Sequence, residues 1–153
     1  MLKLWGAGLI LAAGLYGILL RKRENRARKK QLWQWIELLE AMGSEIRWHH
    51  VSLSAFLQRQ PITNKVSQYM KSKYTLQQSW VKIINDVGDK GIEEILKNIR
   101  FSGDQEYLLA SIALAIEQLR DLESNRRQKT AIQEKIQNAA VFSVAGLLII
   151  LLL

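Results

Sequence analysis

The chain has 153 residues and a formal net charge of +8, and it contains one proline and no cysteine. The absence of cysteine excludes disulfides, thiolate zinc sites and a cysteine nucleophile. The length is enough for one domain, and a single proline leaves little to interrupt helices.

The N-terminal segment, residues 1–20, is predicted to be an uncleaved transmembrane anchor. Residues 4–20 form a run of 17 residues without a charge. A helix rises about 1.5 Å per residue, so this run just spans a hydrocarbon core of about 30 Å. A cleaved signal peptide would carry its charges before the apolar run, whereas here the charges follow it.

Seven cations lie in a basic juxtamembrane segment, residues 21–31. We predict that they flank the membrane: Arg21, Lys22, Arg23, Arg26, Arg28, Lys29 and Lys30. Basic residues collect on the cytoplasmic side of a membrane, so this segment and the basic residues before the C-terminal run place the central domain in the cytoplasm. A block of this kind can also hold phosphates. This leaves open the alternative of a membrane-anchored regulatory or nucleic-acid-binding protein.

Residues 32–138 are predicted to form a cytoplasmic antiparallel bundle of about six helices, because apolar residues recur there at steps of three and four. Ser52 and Thr75 are plausible N-caps, and Pro61 is tolerated in the first turn of a helix. Residues 88–91, with the sequence GDKG, are predicted to form a turn. The predicted core positions are Leu32, Trp35, Ile36, Leu39, Met42, Ile46, Leu53, Phe56, Leu57, Ile62, Val66, Tyr69, Met70, Leu76, Trp80, Ile83, Ile84, Val87, Ile92, Ile95, Leu96, Ile99, Leu108, Ile112, Ala115, Leu119 and Leu122.

The longest predicted helix begins after Ser102 or Asp104 and runs toward a second transmembrane helix, residues 139–153. Those 15 residues are short for a span, and a buried core helix is the alternative. The run GLLIILLL is apolar on all sides, which favours the membrane. The predicted fold is therefore all-α, a helical bundle flanked by an N-terminal and a C-terminal transmembrane helix. The chain is predicted to be a two-span protein of the cell membrane, with both termini facing outward.

His49 and His50 are the only histidines, and adjacent residues of a helix point about 100° apart. Their place after the last apolar residue of a helix predicts a helix C-terminus rather than a metal site. Asp86 and Asp89 fit a turn, and the chain lacks a phosphate loop and an H-E-x-x-H motif. No catalytic, cofactor-binding or metal-binding residue is predicted, and we do not expect an enzyme.

Polar residues near the predicted helix ends are candidates for contacts with a partner. They are Arg47, His49, Arg59, Lys71 and Lys73. A solvated face is an equally plausible interpretation of each of these residues.

Four stretches of the chain resemble a known family, and they follow one another in the order found in that family. They are "MLKLWGAGLILAAGLYGILLRKR", "LWQWIELLEAMGSEIRWHHVSLSAFLQR", "DQEYLLASIALAIEQLRDLE" and "AGLLIILLL". Together they cover most of the sequence, and the chain resembles the stage III sporulation protein AB family of endospore-forming bacteria.

The resemblance implies a similarity to one cytoplasmic domain of the inner-membrane platform proteins of type II secretion and type IV pilus machines. It implies a non-enzymatic membrane platform or adaptor protein of the channel complex between mother cell and forespore. Such a protein would couple a cytoplasmic ATPase to membrane components from the mother-cell side. The implied partners are the stage III sporulation ATPase (protein AA) and other channel-complex proteins. The residues themselves predict neither a nucleic-acid partner nor a cofactor.

Overall fold

Six α-helices make up the part of the chain that a computed structural model describes, residues 2–48, 52–63, 65–72, 74–101 and 103–152. In chain order they are α1 (Leu2–Trp48), α2 (Leu53–Arg59), α3 (Val66–Lys71), α4 (Leu76–Asn85), α5 (Lys90–Lys97) and α6 (Gln105–Leu152). A 3₁₀ turn, Pro61–Thr63, separates α2 from α3. No strand occurs within these ranges, and the prediction of an all-α bundle of about six helices is confirmed.

The two longest helices, α1 and α6, run antiparallel and form the spine of the bundle. Near the end of α1, the side-chain amide of Gln105 donates to the carbonyl of Ile46 at 2.9 Å. Earlier in α1, Lys29 pairs with Glu123 at 3.6 Å. The short helices pack onto this spine, with α2 against α1 and α5 against α6.

The hydrophobic core lies where the spine meets the short helices. The buried apolar residues are Leu32, Trp35, Ile36, Leu38, Leu39, Met42, Ile46, Phe56, Leu57, Trp80, Ile83, Ile84, Ile92, Leu96, Ile99, Leu108, Ile112, Ala115 and Leu119. All of them except Leu38 are predicted core positions. Leu38 is buried because α1 is covered by α6 and also by α2 and α4. Its buried face is therefore wider than a single apolar stripe.

An aromatic cluster joins α1, α4 and the segment after α5. The ring of Trp80 packs edge-to-face against Trp35, with centroids 5.8 Å apart, and against Phe101 at 5.3 Å. The indole N–H of Trp80 donates to the carbonyl of Leu96 at 3.1 Å. Because a buried indole N–H needs a partner, this bond positions α5 relative to α4.

Two of the predicted N-caps are present. The hydroxyl of Ser52 accepts a backbone N–H in the first turn of α2 at 3.4 Å. Thr75 and Gln78 form a capping box, in which each side chain accepts the backbone N–H of the other residue. Pro61, in contrast, begins the 3₁₀ turn rather than a helix, and α3 begins at Val66. Ser102, a candidate cap for α6, lies outside the described residues.

The prediction of two membrane spans is wrong. In the part of the chain that the structure describes, no helix is long and apolar enough to cross a membrane. The predicted spans at the two ends, residues 4–20 and 139–153, have 17 and 15 residues, whereas a span needs about 20. The predicted location, a two-span protein of the cell membrane with a cytoplasmic central domain, is therefore withdrawn together with the transmembrane helices.

The predicted division into residues 1–20, 21–31, 32–138 and 139–153 does not coincide with helix ends. Helix α1 continues without interruption across the first two of these boundaries, and α6 continues across the third. The four segments stay a prediction based on composition.

Candidate protein-binding surface

An ion pair between Asp89 and Arg126 holds the start of α5 against α6. Arg126 donates from Nη1 to Oδ2 of Asp89 at 2.8 Å and from Nη2 to Oδ1 at 2.7 Å. Two parallel bonds of this kind are stronger and more directional than a single contact. The pair therefore fixes where α5 lies along α6.

Asp89 is also the N-cap of α5. Its Oδ1 accepts the backbone N–H groups of Gly91 and Ile92 at 3.1 and 3.4 Å. The hydrogen bonds from Arg126 lower the pKa of the Asp89 carboxyl below its ordinary value, although partial burial acts in the opposite direction. The carboxyl is ionised at neutral pH, and one side chain both begins α5 and attaches it to α6.

Gly91 allows α5 and α6 to approach closely at this junction. A Cβ atom at this position would lie 3.1 Å from Nη2 of Arg126 and 3.3 Å from Cδ2 of Leu122. Both distances are shorter than ordinary van der Waals contacts, so a larger residue would push against the ion pair. Lys90 and Gly91, which were predicted to belong to a turn at residues 88–91, are instead the first residues of α5, and Gly91 is a packing contact between two helices.

A groove of about 460 Å³ lies between α5 and the first half of α6. Its lining residues are Ile95, Lys97, Asn98, Arg100, Tyr107, Ala110, Ser111, Leu114, Ala115 and Gln118. Tyr107 and Leu114 are large apolar side chains that remain 55% and 53% exposed. They are seven residues apart, which is two helical turns, so they share one face of α6. Neighbouring apolar side chains that stay exposed can mark a surface that contacts another protein.

The charge in this groove is entirely positive. Lys97 and Arg100 line it, and no carboxylate does. Lys97 also pairs with Glu93 of its own helix at 3.9 Å, a long contact between residues four apart that contributes little. Arg100 makes no ion pair within the described part of the chain. The groove therefore fits a segment that offers apolar side chains and carboxylates.

Three of the five residues predicted to contact a partner lie outside the groove. Arg47, Arg59 and Lys71 are exposed in the last turns of α1, α2 and α3, where a cation interacts favourably with the helix dipole. None of the three lines the groove. His49 and Lys73 lie outside the described residues. Contact of these five residues with a partner stays a prediction.

Sequence reasoning missed Tyr107 and Leu114 as surface residues. The signal was available for Leu114, which stands beside the predicted stripe that includes Ile112 and Ala115 and therefore points away from the core. An exposed leucine alone is common. It becomes informative only when folding places α5 beside it.

A second concave surface, a cleft, lies between α1 and α6. It is lined by some, but not all, of the cations that were predicted to flank the membrane. Lys22, Arg26, Arg28 and Lys29 line this cleft. Arg23 and Lys30 are exposed outside it, and the side chain of Arg21 is not described. Only some of the cations of the basic segment therefore face α6.

Among the described residues, no three histidine, aspartate or glutamate side chains converge as metal ligands would. His49 and His50 lie outside those residues, so their predicted role at a helix C-terminus stays a prediction.

Comparison with protein families matches residues 3–153 to the family described as Stage III sporulation protein AB. No curated protein and no solved structure matches the chain. The matched range includes the helical bundle, the groove and the cleft.

Proposed function

The chain belongs to the stage III sporulation protein AB family, and from this membership we infer that it acts in sporulation as a non-enzymatic adaptor protein. The family is a non-catalytic sporulation family. In this proposal the adaptor connects the stage III sporulation ATPase (protein AA) to other proteins of the channel complex. The proposal rests on one observation, the exposed apolar and basic side chains that line the groove between α5 and α6.

The groove offers the chemistry that a protein contact needs. Tyr107 and Leu114 are exposed beside the buried Ala115, so a partner side chain placed between them would remove apolar surface from water. Tyrosine is frequent among the few residues that supply most of the binding energy at interfaces. Lys97 and Arg100 would select an acidic partner and exclude a basic one.

The long helices support a mechanical role for the adaptor. Helices α1 and α6 have 47 and 48 residues, and each is about 70 Å long at 1.5 Å per residue. The groove lies near the start of α6, and the Asp89–Arg126 ion pair joins α5 to the same helix farther along. A force on the groove is therefore delivered to α6 at two places and travels along one continuous helix.

The alternative of a nucleic-acid-binding regulator gains no support from the family match. Neither the groove nor the cleft is lined by a row of aromatic rings on which bases could stack. We therefore keep a protein partner as the proposed ligand of the groove.

The proposal predicts a loss of sporulation when the groove is altered without unfolding the protein. In a spore-forming host that lacks this gene, the double variant Tyr107→Ala, Leu114→Ser is expected to restore heat-resistant spores at least about tenfold less well than wild type. The reason is that truncating a side chain at the centre of an interface can lower the binding free energy by more than about 1 kcal/mol. Spore counts at equal protein levels check this prediction.

The matched control is Trp33→Ala with Ile136→Ser, which changes exposed apolar residues outside the groove. We expect this control to sporulate like wild type, and both variants to unfold at the wild-type temperature. Wild-type sporulation by the groove variant would contradict the proposed role.

A further inference from the structure

Cations from two distant parts of the chain meet across the cleft between α1 and α6. The cleft has a volume of about 600 Å³, within the range of small-ligand sites. Its charged lining residues are Lys22, Arg26, Arg28, Lys29, Glu123, Arg126, Arg127, Lys129 and Glu134. These seven cations and two carboxylates give a net charge of +5, whereas the whole chain carries +8. Most of the net charge of the protein is therefore concentrated at one concave site.

Only part of this charge is neutralised by the protein itself. Lys29 pairs with Glu123, and Arg126 is held by Asp89. The other five cations of the cleft form no ion pair within the described residues. Like charges on facing helices repel, and this repulsion opposes the packing of α1 against α6. An anion in the cleft would relieve the repulsion.

The arginines and the absence of aromatic rings indicate which anion fits. The guanidinium groups of Arg26, Arg28 and Arg127 present paired donors that match phosphate oxygens. No aromatic side chain lines the cleft, so a nucleobase would have no ring to stack on. We propose that this cleft binds phosphate groups, with the phosphate rather than any attached group as the recognised element. The phosphate can belong to a soluble oligophosphate or to the headgroup of an anionic phospholipid.

A nucleic acid is a less suitable ligand for the same charges. A duplex presents its phosphates on a convex surface, which would meet the cations outside the cleft as readily as those inside. Arg23 and Lys30 belong to the same basic segment, are exposed, and do not line the cleft. Binding that depends on the cleft cations but not on these two residues therefore distinguishes a phosphate site from general attraction to a polyanion.

The test compares two double variants with equal changes in charge. Arg26→Glu with Lys129→Glu alters the cleft, and Arg23→Glu with Lys30→Glu alters the same amount of charge outside it. Neither variant touches the ion-paired residues Lys29 and Arg126. The purified full chain is titrated with tripolyphosphate at physiological salt. In parallel it is sedimented with vesicles of phosphatidylglycerol or of neutral phosphatidylcholine.

We expect saturable binding of tripolyphosphate or selective binding of phosphatidylglycerol vesicles. The cleft variant should bind at least about tenfold more weakly, and the outside variant should stay within about threefold of wild type. The first ligand would identify soluble phosphate as the source and the second a lipid headgroup. Binding to neither ligand, or equal loss of binding in both variants, would overturn the proposal. Each of these results would leave the adaptor role untouched.

Discussion

Replacing Trp80 with alanine is expected to lower the free energy of unfolding by about 3–5 kcal/mol, the range for removing a large aromatic side chain from a core. Trp80 is fully buried between Trp35 and Phe101. Its loss leaves a cavity where α1, α4 and the segment after α5 meet, and it removes the hydrogen bond to the carbonyl of Leu96. Urea-induced unfolding at neutral pH measures the effect.

The conservative variant Trp80→Phe separates packing from hydrogen bonding. It keeps an aromatic ring in the cluster and loses only the indole N–H and part of the volume. The carbonyl of Leu96 keeps a partner, because it also accepts the backbone N–H of Ile99 at 3.2 Å. We therefore expect a loss of only about 1–2 kcal/mol. Equal stability of wild type and Trp80→Ala would show that this cluster is not the centre of the core.

Replacing Asp89 with alanine is expected to lower the free energy of unfolding by about 2 kcal/mol. The change removes an N-cap and leaves a partly buried arginine without its ion-pair partner. The side chain of Asp89 is 10% exposed and that of Arg126 is 35% exposed. Solvent therefore reduces the cost of leaving Arg126 without its partner. The matched control is Asp86→Ala. Asp86 pairs with Lys65 at 3.2 Å, but both side chains are more than half exposed. This control should lose less than about 0.5 kcal/mol.

The effect of Asp89 depends on pH in a defined direction. Because its pKa is lowered in the folded protein, the carboxyl stabilises the fold above its unfolded pKa of about 3.9. This contribution is lost as the pH falls through the lower folded value. The stability difference between wild type and Asp89→Ala should therefore be full at pH 7 and shrink below about pH 4. A difference that stays constant down to pH 2.5 would contradict the role of the ionised carboxyl.

The parts of the fold that depend on local sequence could be predicted. The stripes that contain Leu39, Ile84 and Leu119 repeat at the helical period, and all three residues are fully buried. The caps at Ser52 and Thr75 follow from side chains that bond to backbone groups within one turn. These patterns involve residues that are only three to seven positions apart, so they can be recognised in the sequence without knowledge of the fold.

The surfaces could not be predicted, because they depend on contacts between distant residues. Asp89 and Arg126 are 37 residues apart, and nothing in the turn sequence around Asp89 indicates its partner. Lys22 and Lys129 line the same cleft only because α1 and α6 are antiparallel. The membrane prediction failed for a related reason. The predicted spans of 17 and 15 residues lie at or below the lower limit of length for crossing a membrane. At that length, composition alone does not decide whether a helix spans the membrane.

Arg126 connects the two surfaces of the molecule. It lines the cleft between α1 and α6, and it also holds the N-terminus of α5, the helix that forms one wall of the groove. Variants of Arg126 would therefore disturb both surfaces at once. For this reason the tests above change Tyr107 and Leu114 in the groove, or Arg26 and Lys129 in the cleft.

The most direct test of the adaptor role is the dissociation constant of the complex between the full chain and the stage III sporulation ATPase. It should be measured for wild type, for Tyr107→Ala with Leu114→Ser, and for Trp33→Ala with Ile136→Ser. We predict that the groove variant binds at least about tenfold more weakly, a loss of about 1.4 kcal/mol or more, and that the control binds like wild type. Wild-type affinity in the groove variant, or no complex with the ATPase at all, would contradict the proposed function.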